Sequence, residues 1–264
     1  MVSLCFTSLH SLKNPAMTLP SVPDVSDFPK DLYPIVYLSP NNKTTNAIIF
    51  LPGLGDTSAN FSGFAKALNL PDAVTITLQP PFPLPFPVGS GFHWSDDLQV
   101  DTSSGSIDKD SPLTRSTSMM VSAILEVLIK KHHFSPPAIH LFGFGQGGSL
   151  ALSVPLHDSL SGIDSLGGVI SIGGSLPISG SHVTRKKTRT PVCLLGGSRG
   201  AFARDEQSPV KRLRSVYEFV EYHEWKKADD SMPKNRDEAL PMMQFFARRL
   251  RDRRGVPDDF VEVT

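Results

Sequence analysis

The stretch Ala138-Ile-His-Leu-Phe-Gly-Phe144, continued by Gly145-Gln-Gly-Gly148 and then by Ser149-Leu-Ala-Leu-Ser-Val154, decides the fold. Its first segment is a short apolar run behind two prolines, the pattern of a strand buried on both faces. Its last segment is apolar enough for a buried helix. Between them, three of four residues are glycine, so the chain turns sharply there. Strand, tight turn and helix in direct succession are a unit of an α/β sheet.

Working outward, Asn46–Leu51 is a second continuous apolar run and ends in the loop Pro52-Gly-Leu-Gly-Asp-Thr57. Asn60–Leu68 carries Phe61, Phe64, Ala65 and Leu68 at helical spacing. Ala73–Leu78 is β-branched and strand-like, and Leu32–Leu38 is an edge strand because Pro34 cannot donate to a ladder. Ser111-Pro112 marks a helix start, with Leu113, Met120, Ile124, Val127 and Leu128 as its apolar stripe. Downstream, Gly168–Gly173 and Thr190–Leu195 read as strands, Pro209–Val216 as a helix behind Ser208, and Glu218–Trp225 as a strand with one solvated face. A closing helix from about Arg236 to Arg253 presents Leu240, Met243, Phe246, Ala247 and Leu250. The alternation predicts one doubly wound, mostly parallel α/β sheet over residues 33–254, with helices on both faces. Residues 1–32 are expected to be a flexible extension and 255–264 a tail.

One long segment, 79–110, fits neither element type. Its proline run Gln79–Pro87 excludes helix and central strand. With Phe82, Phe86, Phe92 and Trp94 as docking side chains, it is expected to be a lid-like loop over a binding groove.

Composition narrows the class. The 264 residues hold 26 basic and 26 acidic side chains, so charge gives no reason to expect a nucleic-acid partner. No apolar run approaches the roughly 20 residues of a membrane span, and stable membrane insertion is not expected. Two cysteines, Cys5 and Cys193, far apart in sequence, favour a free thiol in a reducing, cytoplasmic compartment. No Cys/His spacing points to a metal and no phosphate-loop pattern to a nucleotide, so neither metal nor cofactor is expected.

The glycine turn has the frame of a nucleophile elbow, G-x-S-x-G, written here as Gly143-Phe-Gly-Gln-Gly147. With Pro52-Gly-Leu-Gly-Asp56 and the Trp94 loop, this chain resembles the acyl-protein thioesterase and small carboxylesterase group of α/β-hydrolases. The group's motifs read H-G-L-G-D and G-F-S-Q-G-G. The resemblance covers roughly residues 45–252. It implies an α/β-hydrolase fold and cleavage of carboxylic esters or thioesters of acyl chains. It also implies a nucleophile at Gly145, an acid at Gly200 in Gly196-Gly-Ser-Arg-Gly200, and a base at Asp230 in Ala228-Asp-Asp-Ser231. None of those residues carries the group required for serine hydrolysis: a hydroxyl, a base to take its proton, and an acid to orient the base. The implied oxyanion donors, the backbone N–H groups of Leu54 and Gln146, survive any side-chain change.

Other residues are weighed against that site. Ser149 lies one helical turn past Gly145 and reads as a small packing residue. Asp205 and Asp230 read as solvated carboxylates, and His93 as a loop histidine. His132-His133 and His157-Asp158 read as helix ends, and the Arg248–Arg254 cluster as a solvated basic last turn. Three readings stand: a pseudo-hydrolase binding an acyl chain, an ester or a lipidated protein; an esterase with a relocated nucleophile or activated water; and a chain with no retained role.

Overall fold

The computed structural model describes residues 19–38, 43–86, 88–99, 111–178, 186–202 and 209–251. Cys5, Asp205, Ser208, Arg253, Arg254, the 255–264 tail and the 100–110 part of the expected lid lie outside these residues.

Nine strands and five α-helices are described. They are β1 (Ile35–Leu38), β2 (Asn46–Leu51), α1 (Ser58–Ala67), β3 (Ala73–Thr77), β4 (Phe82–Pro83), β5 (Phe92–His93) and α2 (Thr114–Ser122). Then come β6 (Ile139–Phe144), α3 (Gln146–Ser153), β7 (Gly168–Ile172), β8 (Val192–Gly197), α4 (Pro209–Val216), β9 (Val220–Trp225) and α5 (Arg236–Arg249). The main sheet runs β1-β3-β2-β6-β7-β8-β9, and all its pairs are parallel except β1 with β3. The doubly wound sheet expected from the alternation is therefore present, with β1 as its antiparallel edge. Its central strands β2, β6, β7 and β8 are buried almost throughout. Two cores fill its two faces: one includes Ile49, Leu141, Leu152 and Leu194, the other Phe50, Phe142, Leu195 and Phe245. Among the described residues, no helix is long and apolar enough to cross a membrane.

Four expectations need correction. Residues 19–32 are not a free lead-in. They form short 3-10 turns at Val25–Asp27 and Lys30–Leu32, the first closed by an Asp24–Asp27 capping box. Phe28 and Leu32 enter the core, because burying these apolar side chains outweighs the cost of ordering a short segment. Second, α2 starts at Thr114 rather than at Ser111. Its first amides are capped from the neighbouring loop, where Asp96 Oδ2 and Oδ1 accept from Thr114 N and Arg115 N at 3.0 and 2.9 Å. Beyond Ser122 the helix continues as a π-helix, Ala123–Lys131. Third, α5 buries Met242, Phe245 and Phe246, so its inward face lies beside the expected stripe and leaves Leu240 exposed.

The fourth concerns the loop. Trp94 does not line a groove but is wholly buried in the core, with Nε1 donating to the Pro52 carbonyl at 2.9 Å. Its carbonyl accepts from Ser116 Oγ at 2.6 Å. Phe86 points the other way, 97% exposed. Phe82 and Phe92 are half-buried on the small β4–β5 ribbon. The described part of the 79–110 segment is thus stitched to the domain. A large indole with one polar handle is stable in a core only when its N–H finds an acceptor.

Candidate active site

The loops after the C-terminal ends of β2, β6, β8 and β9 carry the positions the resemblance singles out. β6 ends at Phe144, and α3 begins at Gln146. Gly145 between them has φ 51° and ψ −119°, a conformation that strains any residue with a β-carbon. Its N–H donates to the Ile172 carbonyl at 2.8 Å, which ties the turn to β7. A β-carbon placed on Gly145 would meet nothing within 4 Å. On Gly147 it would lie 2.1 Å from the Leu51 carbonyl oxygen, so α3 packs against the end of β2 only because that residue is glycine. The sharp turn is therefore built in full, with open space where a side chain at 145 would stand.

Beside it, the early loop contributes Leu54, 36% exposed. The backbone N–H groups of Leu54 and Gln146 have no acceptor among the described residues. Two unmatched amides flanking an open turn can receive an oxygen of a ligand. The Gln146 side chain has a separate task. Its Oε1 accepts from Trp94 N at 2.7 Å, and its Nε2 donates to Ser95 Oγ at 2.6 Å. Gly55 N donates to the Phe92 carbonyl at 2.8 Å. The three segments that converge on the site are thus held by one hydrogen-bonded frame. The sequence pointed to Gln146 for its amide alone; the clamp is a contact between residues 52 apart, which no local pattern reveals.

Asp230 is not a freely solvated carboxylate. Its Oδ1 accepts from Gly197 N at 2.9 Å and its Oδ2 from Ala201 N at 2.7 Å. It lies against the glycines at the ends of β7 and β8: a β-carbon on Gly173 would be 2.5 Å from its Cβ, and one on Gly200 would be 1.7 Å from Oδ1. Gly174 in turn adjoins the turn, since a β-carbon there would be 2.3 Å from the Gly145 carbonyl oxygen. The structure therefore brings Gly145, Gly200 and Asp230 to one end of the sheet. With both carboxylate oxygens held by amides, Asp230 is an acceptor in a fixed place.

The other candidates lie as follows. Ser149 is inside α3 with Oγ 3.5 Å from the Gly145 carbonyl, a packing residue turned back on its own helix. His93 is buried beside Phe82, with ring centroids 5.6 Å apart, and burial pulls its pKa below the ordinary histidine value. His223 on β9 stands 3.7 Å from Glu221. With buried Cys193 these two form a cluster whose ligand atoms lie within 4.8 Å of one another. Glu221 is, however, already held by both of its oxygens by Arg248, at 2.7 and 2.9 Å. A cation there would face that guanidinium, and burial pushes the Cys193 thiol far above its ordinary pKa. His157 caps a 3-10 turn by accepting from Ser159 N.

One constellation escaped the sequence reading. His132 Nε2 is 2.7 Å from Asp27 Oδ2, and His132 Nδ1 is 2.8 Å from Ser21 Oγ. In the neutral ring, because the carboxylate can only accept, Nε2 carries the imidazole proton and Nδ1 accepts from the serine hydroxyl. Lys131 also donates to Asp27, and that bond, joined by those from Asp24 N and His132, holds the carboxyl down at about 2. The residues lie 111 and 105 positions apart in sequence, with no motif to join them.

Comparison with known proteins agrees with this architecture. The profile of the Phospholipase/Carboxylesterase family matches residues 35–246. An uncharacterized hydrolase of Mycosarcoma maydis, UM10204, is 38% identical over 112 residues, 42% of this chain and 41% of that protein. The uncharacterized hydrolase C9G1.08c of Schizosaccharomyces pombe is 31% identical over 114 residues, 42% of this chain and 46% of that protein. The chain thus matches less than half the length of these curated relatives. Among solved structures, the esterase PE8 superimposes with a TM-score of 0.62 at 16% identity, covering 88% of this chain and 100% of that one. Acyl-protein thioesterase 2 of Zea mays gives 0.58 at 16% identity, covering 82% and 98%. At such identities the likeness shows the α/β-hydrolase fold alone. The family match spans the whole main sheet and every position of the site, and on it this chain belongs to the Phospholipase/Carboxylesterase family of α/β-hydrolases.

Proposed function

We propose that this chain is a non-hydrolysing member of its family, a pseudo-hydrolase. In this reading it binds the carbonyl or carboxylate oxygen of an acyl ester, a thioester or a lipidated protein through the amides of Leu54 and Gln146. The observation that carries the reading is Gly145: the turn keeps its strained geometry, φ 51° and ψ −119°, yet offers no hydroxyl. Asp230 supports it, because a carboxylate bonded to two amides replaces the imidazole that serine chemistry needs. Binding without turnover follows when oxygen-binding donors remain and nucleophile and base are both missing.

A second reading rests on Ser21, His132 and Asp27, whose hydrogen bonds run in the order of a nucleophile, its base and an orienting acid. In that reading the esterase nucleophile has been relocated to Ser21. The Ser21 N–H also donates to the His132 carbonyl, a contact that equally serves to dock the segment. His132 precedes β6, at the opposite sheet end from the Leu54 and Gln146 amides, so this triad does not share their oxygen site. The first reading is therefore preferred.

One experiment separates them. The native protein is assayed with a short-chain p-nitrophenyl ester and an acyl thioester, then labelled with a fluorophosphonate and mapped by mass. No turnover above buffer and no adduct is expected. An adduct on Ser21, lost in Ser21→Ala, establishes the second reading. Turnover lost with Ser149→Ala overturns the first reading and makes Ser149 the nucleophile.

A further inference from the structure

At the far end of the sheet, before the first residues of β6, β7 and β8, lies a cavity of about 390 Å³. That volume is within the range of small-ligand sites. Pro137, Leu166, Pro191 and Phe219 supply its apolar surface, and Phe219 is 44% exposed. Arg189, Arg248, Arg249 and Arg251 supply its charge, against the single carboxylate of Asp164. Two of the four guanidinium groups are engaged by carboxylates: Arg189 with Asp164 at 2.9 Å and with Glu218 at 3.7 Å, and Arg248 with Glu221 at 2.7 Å. Arg249 and Arg251 have no carboxylate partner among the described residues, and Arg249 only lies over the Phe245 ring at 5.9 Å.

Arg251 is not a loose side chain at the end of a helix. Its backbone N–H donates to Asn46 Oδ1 and its carbonyl accepts from Asn46 Nδ2, both at 2.9 Å. Asn46 is wholly buried at the start of β2. A buried amide that clamps one residue on both sides fixes where its side chain departs.

A second observation comes from beneath the cavity. His140, 1% exposed, has no partner for either ring nitrogen. A β-carbon on Gly167, a residue that lines the cavity, would be 2.5 Å from His140 Nε2. Only a glycine therefore stands between this imidazole and the cavity. Burial first, and then the charge of Arg249, hold its pKa down at about 3, so it is a neutral ring with one unmet N–H donor. Buried polar groups without partners are uncommon and call for an explanation.

We propose that this cavity is a binding site for a phosphate monoester carried on an apolar or aromatic group. Arg249 and Arg251 take the phosphate oxygens, while Arg189 and Arg248, held by Asp164, Glu218 and Glu221, wall the site, and Phe219 with the prolines receives the apolar part. Guanidinium groups suit phosphate because they present paired donors in a plane. The site is separate from the glycine turn, which lies at the other end of the same strands.

The test is calorimetric titration of the full chain with phenyl phosphate and with inorganic phosphate at low salt, beside the double variant Arg249→Ala and Arg251→Ala. Both arginines are exposed, and circular dichroism and Tm establish that the variant folds. Phenyl phosphate is expected to bind more tightly than inorganic phosphate. The double variant should lose at least about tenfold in affinity, since charge-assisted hydrogen bonds are the strong ones. Sedimentation with vesicles containing phosphatidic acid, abolished in the same variant, supports the site with a lipid as the source of the phosphate; binding of phenyl phosphate alone supports it with a soluble source. The proposal is overturned if phenyl phosphate does not bind, if inorganic phosphate binds as tightly, or if the double variant binds like the native chain.

Discussion

A β-carbon on Gly200 would stand 1.7 Å from Oδ1 of Asp230, far inside van der Waals contact. The carboxylate at 230, as it stands, fills the room that a side chain at 200 would need. In the family these are the implied places of the acid and the base. Here one carboxylate, donated to by Gly197 and Ala201, stands for both. Glycine at 200 and the carboxylate at 230 are one packing solution.

That relation predicts strong coupling. Gly200→Ala alone is expected to destabilise by about 1–3 kcal/mol through overpacking. Asp230→Ala alone is expected to cost about 1–3 kcal/mol, because the Gly197 and Ala201 amides lose their acceptor. The double variant should fall short of the sum by about 0.5–3 kcal/mol, since removing the carboxylate makes room for the methyl. Urea denaturation of the four proteins measures the cycle; strict additivity would mean that the two residues do not compete for space.

A second prediction concerns the start of α2. Asp96 accepts from both Thr114 N and Arg115 N, and Leu113 at the N-cap makes no side-chain bond. Asp96→Ala should then cost about 0.5–2 kcal/mol, the usual worth of a helix cap. Asp96→Asn, which keeps one accepting oxygen, should cost less. Thermal unfolding of the two variants gives the order directly.

These two cases mark what was legible in the sequence. Strands β2, β6, β7 and β8 announce themselves because a strand buried on both faces must be apolar at every position. The sharp turn at Gly145 was legible because three glycines in four residues between an apolar run and a helix call for it. The Asp96 cap, the Gln146 clamp and the Asp230 cradle were not, because each joins residues distant in sequence whose types are ordinary on a surface. Trp94 was misread for a related reason: an aromatic residue in a proline-rich loop looks the same whether it faces a ligand or the core. Its fate was set by the Pro52 carbonyl, which only the fold supplies.

The buried imidazole of His140 makes stability depend on pH. Its folded-state pKa, about 3, lies below the ordinary 6.5, so the unfolded chain takes up the proton first. Stability from this residue is full above about pH 6.5 and is lost as pH falls toward 3, with a slope of at most about 1.4 kcal/mol per pH unit. His140→Leu should flatten that limb. It orphans no partner, because neither ring nitrogen makes a bond. Denaturation midpoints measured from pH 7 to pH 4 test it; parallel slopes for the two proteins would mean that His140 is not the group responsible.

The last prediction asks whether the site is only missing its reagents. Gly145→Ser meets no steric obstacle, since nothing lies within 4 Å of a β-carbon there, but the backbone at φ 51° should cost about 1–3 kcal/mol. The single variant should not hydrolyse p-nitrophenyl acetate faster than the native chain, for the new hydroxyl has no base. The triple substitution Gly145→Ser, Gly200→Asp and Asp230→His brings a hydroxyl, a carboxylate and an imidazole to one end of the sheet, provided that the imidazole at 230 turns out of the space the present carboxylate fills. Its turnover is expected to exceed that of Gly145→Ser by at least about 100-fold, the lower end of what a positioned general base contributes. Its rate should rise with pH through the ordinary histidine range near 6.5. A folded triple variant no faster than Gly145→Ser would overturn this assignment of nucleophile, acid, base and oxyanion donors to positions 145, 200, 230, 54 and 146.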